Sequence, residues 1–162
     1  MSRAVGSRGV ALNGLIYRER IAAVQRRMIQ AGLDLLIVPT PENMHYLTGF
    51  DGWSFYLQQC LLISPERDTP IWIGRGSDVH EAARSPVIAA GDVLAYGDQY
   101  IQSPSLSPYD FVADLISKYG WDKSRIGVPM DGYHFSAGAY RTLAGRLTKA
   151  SIHSDGQLID WL

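Results

Sequence analysis

Asn43–Ile63, NMHYLTGFDGWSFYLQQCLLI, is the stretch on which the reading of this chain turns. It opens on an amide side chain and a short apolar segment broken at Gly49. A loop of glycine and aromatics follows, Gly52-Trp53-Ser54-Phe55-Tyr56, and then an apolar run, Leu57 to Ile63, with strand character. Asp51, Trp53, Phe55 and Tyr56 therefore share one loop between two ordered elements. Such a loop can close over a small ligand, the rings supplying rigid apolar surface and Asp51 one charge. Residue type alone favours the plainer role, in which Trp53 and Phe55 plug the core, because large aromatics are mostly buried.

Outward from this stretch, helical and strand patterns alternate. Ile21, Val24 and Met28 share one face of a helix expected from Tyr17 to Ala31, which Gly32 can stop. Leu35 to Val38 is a short continuous apolar run and reads as a buried strand. Thr40 can cap a short helix with Pro41 at its first position, ending at Gly49. Leu57–Ile63 and Pro70–Gly74 read as strands joined by the turn 64–68, close enough in sequence to pair antiparallel. A helix from Ser77 to before Pro86 and a strand Val93–Tyr96 follow.

Residues 98–107 are rich in Ser and Pro and should be an exposed loop. Ser107-Pro108-Tyr109-Asp110 has the pattern of a capped helix start. Phe111, Leu115 and Tyr119 are the expected apolar face of that helix. Arg125–Val128 and Ser151–His153 read as strands. Between them Ser136–Leu147 reads as a helix with Tyr140, Leu143 and Leu147 at helical spacing. Asp155 can cap a last helix carrying Leu158, Ile159 and Leu162. The class is α/β, a mixed β-sheet flanked by helices, with Leu36, Val38, Leu62, Ile73 and Val128 expected in its core.

The 162 residues amount to one domain, with 46% hydrophobic and 19% charged residues. A net charge of −1 leaves no basic excess to offset phosphates, which argues against nucleic acid or a membrane as partner. Cys60 is the one cysteine, so no internal disulfide forms; this is compatible with a reducing cytoplasm. Residues 1–16, rich in Gly and Ser and lacking an apolar h-region, are expected to be a flexible arm and not a secretory signal.

Three partial motifs fall short of their chemistry. His80-Glu81 begins like the zinc helix H-E-x-x-H, but Arg84 stands where the second imidazole belongs. Gly52-Trp53-Ser54 begins like a nucleophile elbow, but Tyr56 replaces the second glycine, leaving Ser54 as a loop hydrogen-bonder. Gly74-Arg75-Gly76 lacks the third glycine of a dinucleotide fingerprint.

Asn-x-x-Tyr-Leu-Thr-Gly-Phe, at Asn43 and Tyr46 to Phe50, resembles the signature of the creatinase/prolidase N-terminal domain, and the resemblance runs from about Tyr17 to the last residue. Arg20, the run Gly32–Val38 and Pro41-Glu42-Asn43 agree with it. The continuation Asp51–Tyr56 looks closest to the ectoine-hydrolase branch. The resemblance implies a ribonuclease H-like motif at 17–155, with 156–162 beginning a linker helix to a C-terminal catalytic domain that would follow Leu162. It implies a cytoplasmic homodimer acting on a small amide or dipeptide, with ectoine first and an X-Pro dipeptide second. Two divalent metals, manganese or cobalt, would belong to the catalytic domain, with no cofactor in this one. This domain alone would be inactive and would have no catalytic residue or metal ligand. Asp51, Trp53, Phe55 and Tyr56 would form part of the substrate wall. The creatinase branch places an arginine for the substrate carboxylate where Leu57 stands, which makes creatine a poor substrate. The alternative is a stand-alone, non-enzymatic interaction module of the same fold.

Overall fold

A computed structural model describes residues 4–52, 54, 56–155 and 157–162; for residues 4–13 it describes the backbone path alone. The chain runs α1 (Ala4–Ala31), β1 (Leu35–Val38), α2 (Pro41–Thr48), β2 (Cys60–Ile63), β3 (Ile71–Arg75), α3 (Val79–Ala82), β4 (Val93–Tyr96), α4 (Pro108–Lys118), β5 (Arg125–Val128), α5 (Ala137–Arg146) and β6 (Ser151–Ser154). The strands form one sheet in the order β4-β3-β2-β1-β5-β6. β2 is antiparallel to both β1 and β3, whereas β3–β4, β1–β5 and β5–β6 are parallel pairs. Five strands therefore point one way and β2 alone opposes them.

Alternation along each strand divides the core into two layers. Leu35, Ile37, Cys60, Leu62, Ile71 and Ile73 face α4 and α5, packing on Tyr109, Val112, Ile116 and Leu143. Leu36, Val38, Leu61, Ile63 and Trp72 face α1, α2 and α3, packing on Val24, Met28, Leu47 and Ala82. Both faces of the sheet are covered at its centre, which is why β1 and β2 read as unbroken apolar runs. The five expected core residues, Leu36, Val38, Leu62, Ile73 and Val128, are all buried.

Several elements differ from the sequence expectation. α1 begins at Ala4, so helix covers most of the segment read as a flexible arm. The strand expected from Leu57 begins at Cys60, because Leu57 and Gln58 belong to the preceding loop. Thr40 stands at the start of α2 but its hydroxyl makes no capping bond. α4 keeps its capping box, with Ser107 N–H donating to Asp110 Oδ2 at 2.8 Å. Its buried side, however, is Tyr109, Val112, Ala113, Leu115 and Ile116, with Phe111 and Tyr119 at the margin. Tyr140 is likewise exposed on α5. Among the described residues the last helix does not form: 157–161 are turns, with Asp155 Oδ1 accepting from Gln157 N–H at 3.1 Å. Arg27 of α1 holds these turns by donating to the carbonyls of Leu158 and Trp161. A tertiary anchor replaces the local helix, which is too short to persist alone.

Candidate functional site

The five parallel strands end, and β2 begins, on the same edge of the sheet. In open α/β sheets ligands bind outside the carboxyl ends of the strands. Residues 39–40, 49–52, 56–59, 97–107 and 129–136 supply loops on this edge.

The segment before the aromatic loop is fixed by its own side chains. Thr48 Oγ1 donates to Met44 O at 2.7 Å and accepts from Phe50 N–H at 3.2 Å. Ser85 Oγ donates to Thr48 O at 2.6 Å. Gly49 has φ 69°, and a Cβ there would lie 2.9 Å from the Tyr17 ring, so only glycine ends α2 in this way. Leu47 and Phe50 are buried, and the Phe50 ring packs on Trp72 with centroids 5.5 Å apart. Arg20 covers Tyr46, and Asn43 Nδ2 donates to Asp160 Oδ1 at 3.2 Å. The signature Asn-x-x-Tyr-Leu-Thr-Gly-Phe is thus a structural anchor that delivers the chain to the loop.

Beyond Phe50 the chain reaches the surface. Asp51 has 84% of its side chain exposed, and its Oδ1 lies 3.6 Å from His45 Nδ1. Gly52 sits on the Phe50 ring, where a Cβ would come within 2.2 Å of Cζ, and its carbonyl accepts from Gln59 Nε2 at 3.1 Å. Ser54 Oγ accepts from Leu57 N–H at 3.2 Å, a loop hydrogen bond. Tyr56 is 66% exposed. Trp53 and Phe55 lie outside the described residues.

Tyr56 borders two adjoining clefts. The smaller, of about 250 Å³, lies between Pro39, Ser54, Gln59 and His134. The larger, of about 780 Å³, is walled by Tyr100, the loop 101–107, the start of α4, and Ser136 to Thr142 of α5. A third recess of about 450 Å³ holds Glu42, His45, Phe50 and Asp51. The structure thus separates the candidates: Asp51 opens on one recess and Tyr56 on the other two.

Sequence reading missed the far wall of the large cleft, above all Arg141 and Tyr109. Tyr109 is buried and its hydroxyl has no hydrogen-bond partner among the described residues; burial, with Cys60 and Tyr96 nearby, pushes its ionisation well above the ordinary tyrosine range. Burial likewise pushes the Cys60 thiol up to about 12. Neither group is poised as a nucleophile or base near neutral pH. Among the described residues no three His, Cys, Asp or Glu side chains come together to hold a metal ion. His80 is exposed on α3, and Arg75 lies 3.5 Å from Asp98 across the strand ends. Among the described residues no helix is long and apolar enough to cross a membrane. Among the described residues the edge offers shape, rings and isolated charges, and no bond-making constellation.

Residues 20–162 match the Creatinase/Prolidase N-terminal domain, and the chain belongs to that family. It is 37% identical over 146 residues to an ectoine hydrolase of Halomonas elongata, an alignment covering 90% of this chain and 36% of that protein. An uncharacterized hydrolase/peptidase of Sinorhizobium fredii is 32% identical over 146 residues, covering 90% of this chain and 37% of that one. The chain thus spans little more than a third of the curated relatives it matches. Among solved structures, a proline dipeptidase from Streptococcus agalactiae superposes with a TM-score of 0.68 at 16% identity, covering 89% of this chain and 98% of that one. The N-terminal domain of the cytoplasmic peptidase PepQ from Mycobacterium tuberculosis gives 0.65 at 16% identity, covering 88% and 97%. These likenesses establish the creatinase-type fold, a mixed sheet between helices.

Proposed function

We propose that this chain is the non-catalytic N-terminal domain of a cytoplasmic, homodimeric, metal-dependent C–N hydrolase, and that its Asp51–Tyr56 loop walls the substrate pocket of a catalytic domain. The observation that carries the reading is the loop's placement. Thr48 and Phe50 are buried and hydrogen-bonded to each other, yet the chain just beyond them turns Asp51 and Tyr56 outward at the carboxyl edge of the sheet. An exposed tyrosine bordering two clefts is available to contact a ligand held by another domain.

The loop's work in this reading is to shape the pocket and exclude water. Two divalent metals, manganese or cobalt, would belong to the catalytic domain, where they would supply Lewis-acid activation of water and substrate. The substrate is a small amide-like compound. Ectoine stands first because of the 37% identity to an ectoine hydrolase, and an X-Pro dipeptide second.

The test compares the 162-residue chain with the protein extended by its downstream reading frame. Both are assayed with manganese or cobalt against ectoine and X-Pro dipeptides. The extended protein should turn over one of these and the short chain neither. Metal-dependent turnover by the short chain, or a downstream frame without a carboxylate-and-histidine metal site, contradicts the reading. The second result would point instead to an interaction module.

A further inference from the structure

The large cleft contains one feature that the wall reading leaves unused. Arg141, on the exposed side of α5, lines it. Unlike Arg146 one turn on, which pairs with Asp110 and Asp114, Arg141 has no acidic partner among the described residues. The carboxylate that also lines the cleft, Asp110, is already engaged: its Oδ2 accepts from Ser107 N–H at 2.8 Å and its Oδ1 lies 3.6 Å from Arg146. The first turns of α4 and α5 form part of the same wall and add positive helix ends. Tyr109, fully buried and with no partner for its hydroxyl among the described residues, lies in the lining as well. The volume of about 780 Å³ suits a small molecule.

We propose that this cleft binds the carboxylate of a small amino-acid-like ligand, with Arg141 as the anchoring cation. A free guanidinium offers two parallel N–H donors to a carboxylate, a geometry no other described side chain in the cleft can supply. Tyr56 covers the ligand's opposite side. The assignment deepens the proposed function and rests on it, because the same tyrosine borders the cleft and belongs to the substrate wall. Arg141 is then a specificity-determining residue that selects substrates bearing a free carboxylate.

Glycyl-proline and its C-terminal amide, glycyl-prolinamide, are titrated into the 162-residue chain while backbone amide resonances are followed by NMR. Glycyl-proline should shift residues 100–110 and 136–142. The amide, and glycyl-proline with Arg141→Gln, should bind at least about tenfold more weakly, since each removes one half of a charge-assisted pair. Arg141→Lys should recover part of the loss, because it keeps the charge and loses the fork. Thermal melts of all variants should match the parent. Equal shifts from the dipeptide and its amide, shifts unchanged in Arg141→Gln, or no shifts in the cleft overturn the proposal. A separate kinetic arm on the extended enzyme distinguishes this failure from failure of the wall reading. Arg141→Gln should raise KM for free dipeptides with kcat kept, whereas the wall reading stands or falls on Tyr56→Ala.

Discussion

The guanidinium carbon of Arg20 lies 4.0 Å from the centroid of the Tyr46 ring, and its Nη1 donates to the Tyr46 carbonyl oxygen at 2.7 Å. One side chain of α1 thereby holds both the ring and the backbone of α2, one turn before the loop that reaches the candidate site. The contact is partly buried, so its cation–π and hydrogen-bond components are both less screened than at an open surface.

Arg20→Ala should therefore lower stability by about 1–3 kcal/mol, and Arg20→Lys should restore little of it, because an ammonium cannot lie flat on the ring while reaching the carbonyl. Urea denaturation of the two variants checks this. Parent-like stability in Arg20→Ala would show that α2 is held by its apolar face alone.

Gly74 should not tolerate a side chain. A Cβ there would lie 2.3 Å from Cζ2 of Trp72, a rigid ring that is fully buried. Gly74→Ala should cost about 1–3 kcal/mol through overpacking. Gly127→Ala should cost less, because the atoms it meets, at 2.8 Å and 3.1 Å, are the tips of Leu33 and Leu36. Thermal melts of the pair test the order; a milder effect at Gly74 contradicts the packing described.

The β2–β3 turn offers a polar counterpart. Asp92 is buried, its Oδ1 2.6 Å from Arg67 Nη2 and its Oδ2 accepting from Thr69 Oγ1 at 2.7 Å. Gln25 Nε2 holds the same turn through the carbonyls of Ser64 and Arg67. Asp92→Ala leaves Arg67 and Thr69 without their acceptor and should cost about 2–4 kcal/mol. Chemical denaturation measures it, and a loss below the range of a surface ion pair would place the network in solvent.

Asp155 gives the pH dependence its sign. Burial raises its pKa above the ordinary 3.8, against the Gln157 N–H bond that lowers it, with Asp160 and Asp131 raising it further. Folding therefore disfavours its ionised form. The charged carboxylate costs stability above the folded pKa, and the cost is relieved as pH falls through that value toward the unfolded one. Asp155→Asn, which keeps an acceptor for Gln157, should be more stable than the parent at neutral pH, with the difference shrinking on acidification. Melting curves from acid to neutral pH decide it, and a variant less stable at neutral pH reverses the sign argued here.

The central strands were legible because each is a short apolar run bounded by turn residues, as at Leu35–Val38 and Cys60–Ile63. The antiparallel β2–β3 pair followed from its short turn. The mixed sheet and the family were legible for the same reason: the pattern around Tyr46–Phe50 is local. What was not legible is set by tertiary contact. On α4 the choice between a stripe through Phe111 and Tyr119 and one through Val112 and Ile116 depends on where the sheet lies. The final turns depend on Arg27, more than a hundred residues away. The large cleft depends on bringing Tyr56, the loop 100–107 and α5 together, and no local signal marks Arg141. Cys60, by contrast, was visible as the lone cysteine, and only its burial explains the inertness now expected of its thiol toward alkylation in the native state.

The central claim, that the Asp51–Tyr56 loop walls the substrate pocket, is tested most directly by kcat/KM of Tyr56→Ala in the extended enzyme. Tyr56 suits the measurement, because its 66% exposure separates function from folding. The account predicts parent-like melting and metal content with kcat/KM lowered by on the order of a hundredfold, as expected when a substrate loses its positioning surface. Normal kinetics in a folded, metal-replete Tyr56→Ala enzyme would contradict it.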